Sequence, residues 1–246
     1  MKSIIILFLL LIFSISNCTA IVSAGAVYSN DIIVSDDNIL FTIEETYTDV
    51  DVQEFRQMLD LDRSGDVNIS EVEAFKESHL ISKKIELRSY ISIDEGDVPL
   101  EMMSVVMEFE NAQGDINITS PINVTTFVEY KFLSPIPSGE HELWILGHPL
   151  IQNMKITLPE GVIVASSDGL DNMTTSTYDG KIVLEGESGI RTFMVENRTI
   201  FEYATTVDMY KKPFYAESYF LPLLVFIEML LAVFAIYMIK GKKQSS

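Results

Sequence analysis

Cysteine is almost missing from this chain. The single one, Cys18, falls just after an apolar N-terminal run, and one cysteine can build no disulfide framework. Histidine is scarce too: His79, His141 and His148 are the whole set. The last two flank the strand-like stretch around Trp144 at a spacing that suits no zinc site, and edge or loop positions are expected for them. The sequence has no G-x-S-x-G, no H-E-x-x-H and no Gly-rich phosphate loop opening a helix. Acidic pairs such as Glu108 with Glu110 and Glu185 with Glu187 read as solvated charges. No enzymatic role is expected. Positive charge is also short: Lys and Arg number 17 against 36 Asp and Glu, a net charge of −19. Such a surface repels nucleic acid and attracts cations, which excludes a nucleic-acid partner. No fixed-period repeat is visible.

What is present begins with the two ends. Lys2 precedes an apolar run from Ile4 to Ile15, too short to cross a bilayer. Small-residue cleavage sites follow at Val22-Ser23-Ala24 and Ala24-Gly25-Ala26. Residues 1–26 therefore read as a secretory signal peptide. At the other end, Phe220 to Ile239 carries one charge, Glu228, and is followed by Lys240, Lys242 and Lys243. That pattern predicts a transmembrane helix over 219–239 and a cytoplasmic tail over 240–246. The topology would be single-pass type I, with a domain outside the membrane over 27–203 and a juxtamembrane stalk over 204–218. A carboxylate in mid-span costs at least ~2.5 kcal/mol, so Glu228 is expected to meet a partner helix in the membrane. Asn-x-Ser/Thr triplets occur at Asn68, Asn117, Asn123, Asn172 and Asn197. The last four are glycosylation candidates. Glycans without cysteine fit a prokaryotic cell surface, the archaeal kind best.

Between the ends, most of the chain alternates apolar and polar residues with period two, in short runs separated by turn signals. About ten strands are expected, in a mainly β, β-sandwich-like ectodomain. It forms one module or two, with Ser134–Gly139 as the boundary if there are two. Ile85 to Ile93 is expected as a strand, and Met102–Phe109 as a central strand buried on both faces.

One stretch departs from this pattern. Asp60 to Glu71 reads D-L-D-R-S-G-D-V-N-I-S-E. Asp60, Asp62, Ser64 and Asn68 place oxygens at loop positions 1, 3, 5 and 9. Gly65 stands at 6, Val67 at 8 and Glu71 at 12. This is the oxygen spacing a Ca²⁺ ion needs, with Asp66 offering its backbone carbonyl and Glu71 both carboxylate oxygens. Val52, Phe55, Met58 and Leu59 lie on one helical face before it, and Val72, Phe75 and Leu80 continue an apolar face after it. Asp51 with Glu54, and Ser70 with Glu73, read as helix caps.

At these residues the loop resembles the EF-hand family and the related dockerin loops, over Asp51 to Leu80. The resemblance implies a helix–loop–helix insert that binds Ca²⁺ through Asp60, Asp62, Ser64, Asp66, Asn68 and Glu71. The loop is single, so a weak site is expected, with a Kd on the order of 10⁻⁴–10⁻³ M. The functional expectation is a membrane-anchored extracytoplasmic calcium-binding protein with a structural or interaction role at the cell surface. The alternative is an accessory subunit of a transporter or sorting complex docked through Glu228.

Overall fold

The computed structural model describes residues 26–196, 198–216 and 220–244. In chain order they form β1 (Val27–Val34), β2 (Asn38–Tyr47), α1 (Asp49–Leu59), β3 (Asp66–Val67), α2 (Ile69–Leu87), β4 (Ile91–Ile93) and β5 (Leu100–Glu110). There follow β6 (Gly114–Asp115), β7 (Ile122–Phe132), β8 (Gly139–Leu146), β9 (Ile151–Thr157), β10 (Val162–Asp168), β11 (Leu170–Tyr178), β12 (Lys181–Ser188), β13 (Ile190–Val195), β14 (Arg198–Lys211) and α3 (Phe220–Gln244). The signal peptide expected over 1–26 lies outside the described residues except for Ala26. Cys18 and Asn197 lie outside them too.

Seven strands make one sheet in the order β11-β12-β9-β1-β2-β7-β5, and β10-β14-β8-β4 make a second, to which β13 adds by pairing with β14. The chain is thus mainly β. Period-two patterning sets the faces. On β7, Ile122, Val124, Thr126, Val128, Tyr130 and Phe132 are buried and their neighbours are not. Ile32, Val34, Ile39 and Phe41 of the larger sheet share one apolar core with Ile93, Leu143, Ile145 and Val207 of the smaller. The inward face of β7 then continues into a second core. Ile122 and Val124 pack there with Val52, Phe55 and Leu59 of α1, Val67 of β3 and Val72 of α2.

Several expectations are corrected here. Residues 85–87 are helical, not strand: α2 runs to Leu87, where Tyr130 donates its hydroxyl to the Leu87 carbonyl at 2.7 Å. Burying Leu87 against the sheet outweighs the local alternation. β5 is an edge strand buried on one face only: Val105 and Met107 are covered, while Met103 and Val106 are exposed. A boundary at 134–139 does not divide the core, because Ile136 is buried in the same cluster as residues on both sides. The stalk expected over 204–218 is strand as far as Lys211, since β14 pairs with β8 and β10. Ala204, Val207 and Met209 of that stretch are buried.

The C-terminal span is also corrected. Among the described residues no helix is long and apolar enough to cross a membrane. Glu228 puts a carboxylate within the apolar run of α3, and a charge there is costly in a bilayer. The transmembrane helix expected over 219–239 is therefore not supported.

Candidate metal centre

Two helices deliver the loop. α1 buries Val52, Phe55, Arg56 and Leu59. Phe55 stacks on Tyr47 at 4.2 Å between ring centroids and meets Phe75 of α2 edge-on at 5.8 Å. Met58, expected on the same face, is exposed. Thr48 stands at the N-cap of α1 without a side-chain bond, so the cap expected from Asp51 and Glu54 is not made. The cap of α2 sits two residues earlier than expected. Asn68 accepts from Ser70 N and Glu71 N, and the Glu71 carboxylate returns to Asn68 N at 3.0 Å. This is a complete capping box.

Between the helices the backbone turns through left-handed conformations at Arg63 (φ 59°) and Gly65 (φ 85°). A Cβ on Gly65 would meet nothing within 4 Å. Glycine is favoured there by the positive φ, which strains any L side chain, and not by crowding.

The turn brings three carboxylates together. One oxygen each of Asp60, Asp62 and Glu71 lies within 4.8 Å of the others. Oxygens at 2.3–2.6 Å from one Ca²⁺ are never more than about 5 Å apart, so the separation fits. Ser64 N donates to Asp60 Oδ1 and Asp62 Oδ1, both at 2.9 Å, and Gly65 N donates to Asp60 Oδ2 at 2.9 Å. Asp62 N donates to Glu71 Oε1 at 3.1 Å. Hydrogen bonds from Ser64 hold the Asp62 carboxyl below the ordinary carboxylate range, so it is ionised at neutral pH. Glu71 is buried while Asp62 is exposed, which opens the cluster on one side.

The remaining expected ligands are arranged differently. Ser64 Oγ donates to the Asp66 carbonyl at 3.1 Å, tying two of them together. The Asn68 side-chain oxygen caps α2, and its Nδ2 donates to Glu71 Oε2 at 2.9 Å. Of the six, the carboxylates of Asp60, Asp62 and Glu71 form the cluster.

Sequence reasoning missed the support behind the loop. β3 pairs antiparallel with β6, Asp66 opposite Asp115 and Val67 opposite Gly114, and Ile116 N donates to Gly65 O at 3.1 Å. The β5–β7 connection thus braces the loop from behind. Arg56 holds that connection. Its guanidinium, 1 % exposed, donates to the carbonyls of Gln113 at 2.7 Å and Asn111 at 2.6 Å. Burial lowers its pKa, with the Asp115 charge opposing. Hydrogen bonds from Asn117, with help from Arg56, hold the Asp115 carboxyl low. The available signal was an arginine on an otherwise apolar helical face, between Phe55 and Leu59.

Other singled-out residues lie apart. Asn117 and Asn172 are exposed, and Asn123 is half-buried on β7 with Thr46 donating to its Oδ1 at 3.2 Å. His141 is not at an edge: it is buried, with Nδ1 2.6 Å from Asp94 Oδ2 and Nε2 2.8 Å from the Pro137 carbonyl. This fastens the Asp94 turn to β8. Comparison with known protein families and with curated proteins finds no match for the chain.

Proposed function

We propose that the protein binds Ca²⁺ in the Asp60–Glu71 loop and that the ion serves a structural role, ordering the helix–loop–helix against the sheet. The observation that carries this reading is the convergence of the Asp60, Asp62 and Glu71 oxygens within 4.8 Å. Three like charges so close repel one another, and a divalent cation relieves that repulsion. Ca²⁺ would draw Asp60 and Asp62, which follow α1, toward Glu71, which is in the first turn of α2. The Ser64 hydroxyl and the Asp66 carbonyl are near enough in sequence to complete an oxygen shell. The match to EF-hand and dockerin spacing supports Ca²⁺ over Mg²⁺, which keeps its waters and seldom takes an all-protein cage.

A single loop of this kind belongs to the weak class, at 10⁻⁴–10⁻³ M, and so to compartments where calcium is millimolar. The leader-like first 26 residues agree with a place outside the cytoplasm. The role that follows is a calcium-stabilised structural or interaction protein at the cell surface. The test is calorimetric titration of the full chain with CaCl₂, beside Asp60→Asn and Glu71→Gln. Saturable heat at millimolar calcium that disappears in both variants supports the proposal. Heat that persists in both variants, or none in the wild type, rejects it.

A further inference from the structure

We propose that the cleft between α2 and the inner faces of β1 and β2 binds a small organic cation bearing N–H donors, an alkylammonium in the simplest case. The cleft has a volume of about 260 Å³, a little below the 300–1,000 Å³ of drug-sized sites. That size limits the occupant to a few heavy atoms.

The sequence of the inner faces marks the place. Along β1 the inward residues run Val34, Ile32, then Asn30 and Tyr28; along β2 they run Ile39, Phe41, Ile43, then Glu45. The apolar core gives way to polar side chains where α2 crosses. Asn30 lines the floor of the cleft and is 2 % exposed, and its Oδ1 has no hydrogen-bond partner among the described residues. An acceptor buried without a donor is costly, a cost that an N–H of the occupant removes.

Charge selects the sign of the occupant. Two ionised groups of α2 line the cleft, Lys83 and Glu86. Lys83 is paired with the buried Glu45 at 3.3 Å, and Tyr47 donates to the other oxygen of that carboxylate at 3.0 Å. Glu86 has no ion-pair partner among the described residues; it accepts only the Tyr90 hydroxyl, at 2.7 Å. The rim therefore carries one unbalanced negative charge. Tyr28 and His148 form an edge-to-face pair of walls at 5.9 Å, and an aromatic face adds to the attraction for a cation. The same negative field, after burial, raises the Tyr28 hydroxyl to about 12. A carboxylate ligand would meet Glu86 at the rim and the unpartnered acceptor Asn30 Oδ1 at the floor, and both disfavour it.

The test uses the purified full chain in calcium buffer, titrated with n-butylammonium chloride and, separately, sodium butyrate at equal ionic strength, followed by ligand-observed NMR. The expected result is saturable binding of butylammonium with a Kd below about 5 mM, or about −3 kcal/mol, and none of butyrate. Glu86→Gln sits at the exposed rim and keeps the fold, as its melting temperature will show; it should weaken butylammonium binding at least about tenfold, which is 1.4 kcal/mol. Asn30→Leu should abolish binding. No saturation, butyrate binding as tightly as the amine, or undiminished binding by Glu86→Gln would overturn the proposal.

Discussion

The two cores of this molecule are built on opposite terms. The larger one lies between two sheets, is made mostly of Ile, Val, Leu and Phe, and draws on strands from Ile32 to Met209. The smaller lies under α1 and α2, is rich in stacked aromatics around Phe55, and borders an arginine and three clustered carboxylates. Removing apolar surface from water is enough to hold the first together. The second borders like charges placed close together, and on the proposed reading its stability answers to a bound cation. What the contrast teaches is that one strand face can serve both: β7 gives Val128, Tyr130 and Phe132 to the large core, and Ile122 and Val124 to the small one.

The largest effect should come from breaking the ion-independent side. Phe41→Ala empties a fully buried site in the large core and should cost about 3–5 kcal/mol. Chemical denaturation should give the same loss with calcium and with chelator, because distant sites add. A loss that depends on calcium would mean that the two cores are not separate.

Arg56→Met comes next. It leaves the Gln113 and Asn111 carbonyls without their charged donor, at a cost of about 1.5–3 kcal/mol. It should also shrink the calcium-induced rise in melting temperature, since the connection that pairs with β3 loses its anchor. A variant that melts early but keeps the full calcium response would detach Arg56 from the loop.

The smallest effect sharpens the comparison at alkaline pH. Burial, with Glu45 as the next cause, raises the hydroxyls of Tyr28, to about 12, and of Tyr47; burial first, then Glu86, raises Tyr90, and burial alone raises Tyr130. Folded pKa values above the unfolded value of about 10 mean that this stability is whole below pH 10 and is lost as pH rises toward 12 and beyond. Melting temperature should fall across that window, with tyrosinate absorbance at these sites appearing only on unfolding. A flat melting curve from pH 10 to 12 contradicts it.

The legibility of the sequence followed the same division. Strand alternation was readable wherever one face is buried, as in β7, because burial and period coincide. It misled at Ile85–Leu87, where an alternating stretch extends a helix that Tyr130 receives. It misled again at Met102–Phe109, where apolar residues on an edge strand looked like a buried centre. The carboxylate cluster was legible because its spacing lies within twelve consecutive residues. Its brace was not, since Arg56 and the Asn111–Ser120 connection meet only in three dimensions. The C-terminal apolar run has the length and composition expected of a membrane span, yet among the described residues no helix is long and apolar enough to cross one. The half-buried Asp94–His141 contact joins residues 47 apart in sequence and left no local mark.

Thermal melting of the full chain with and without calcium tests the central claim most directly. At calcium about 100-fold above its Kd, linkage adds about 2.7 kcal/mol, or about 5–10 °C in a chain of this size. That rise should appear in the wild type and be absent from Asp60→Asn and Glu71→Gln. A wild-type melting temperature that does not move between chelator and 10 mM calcium would contradict the account.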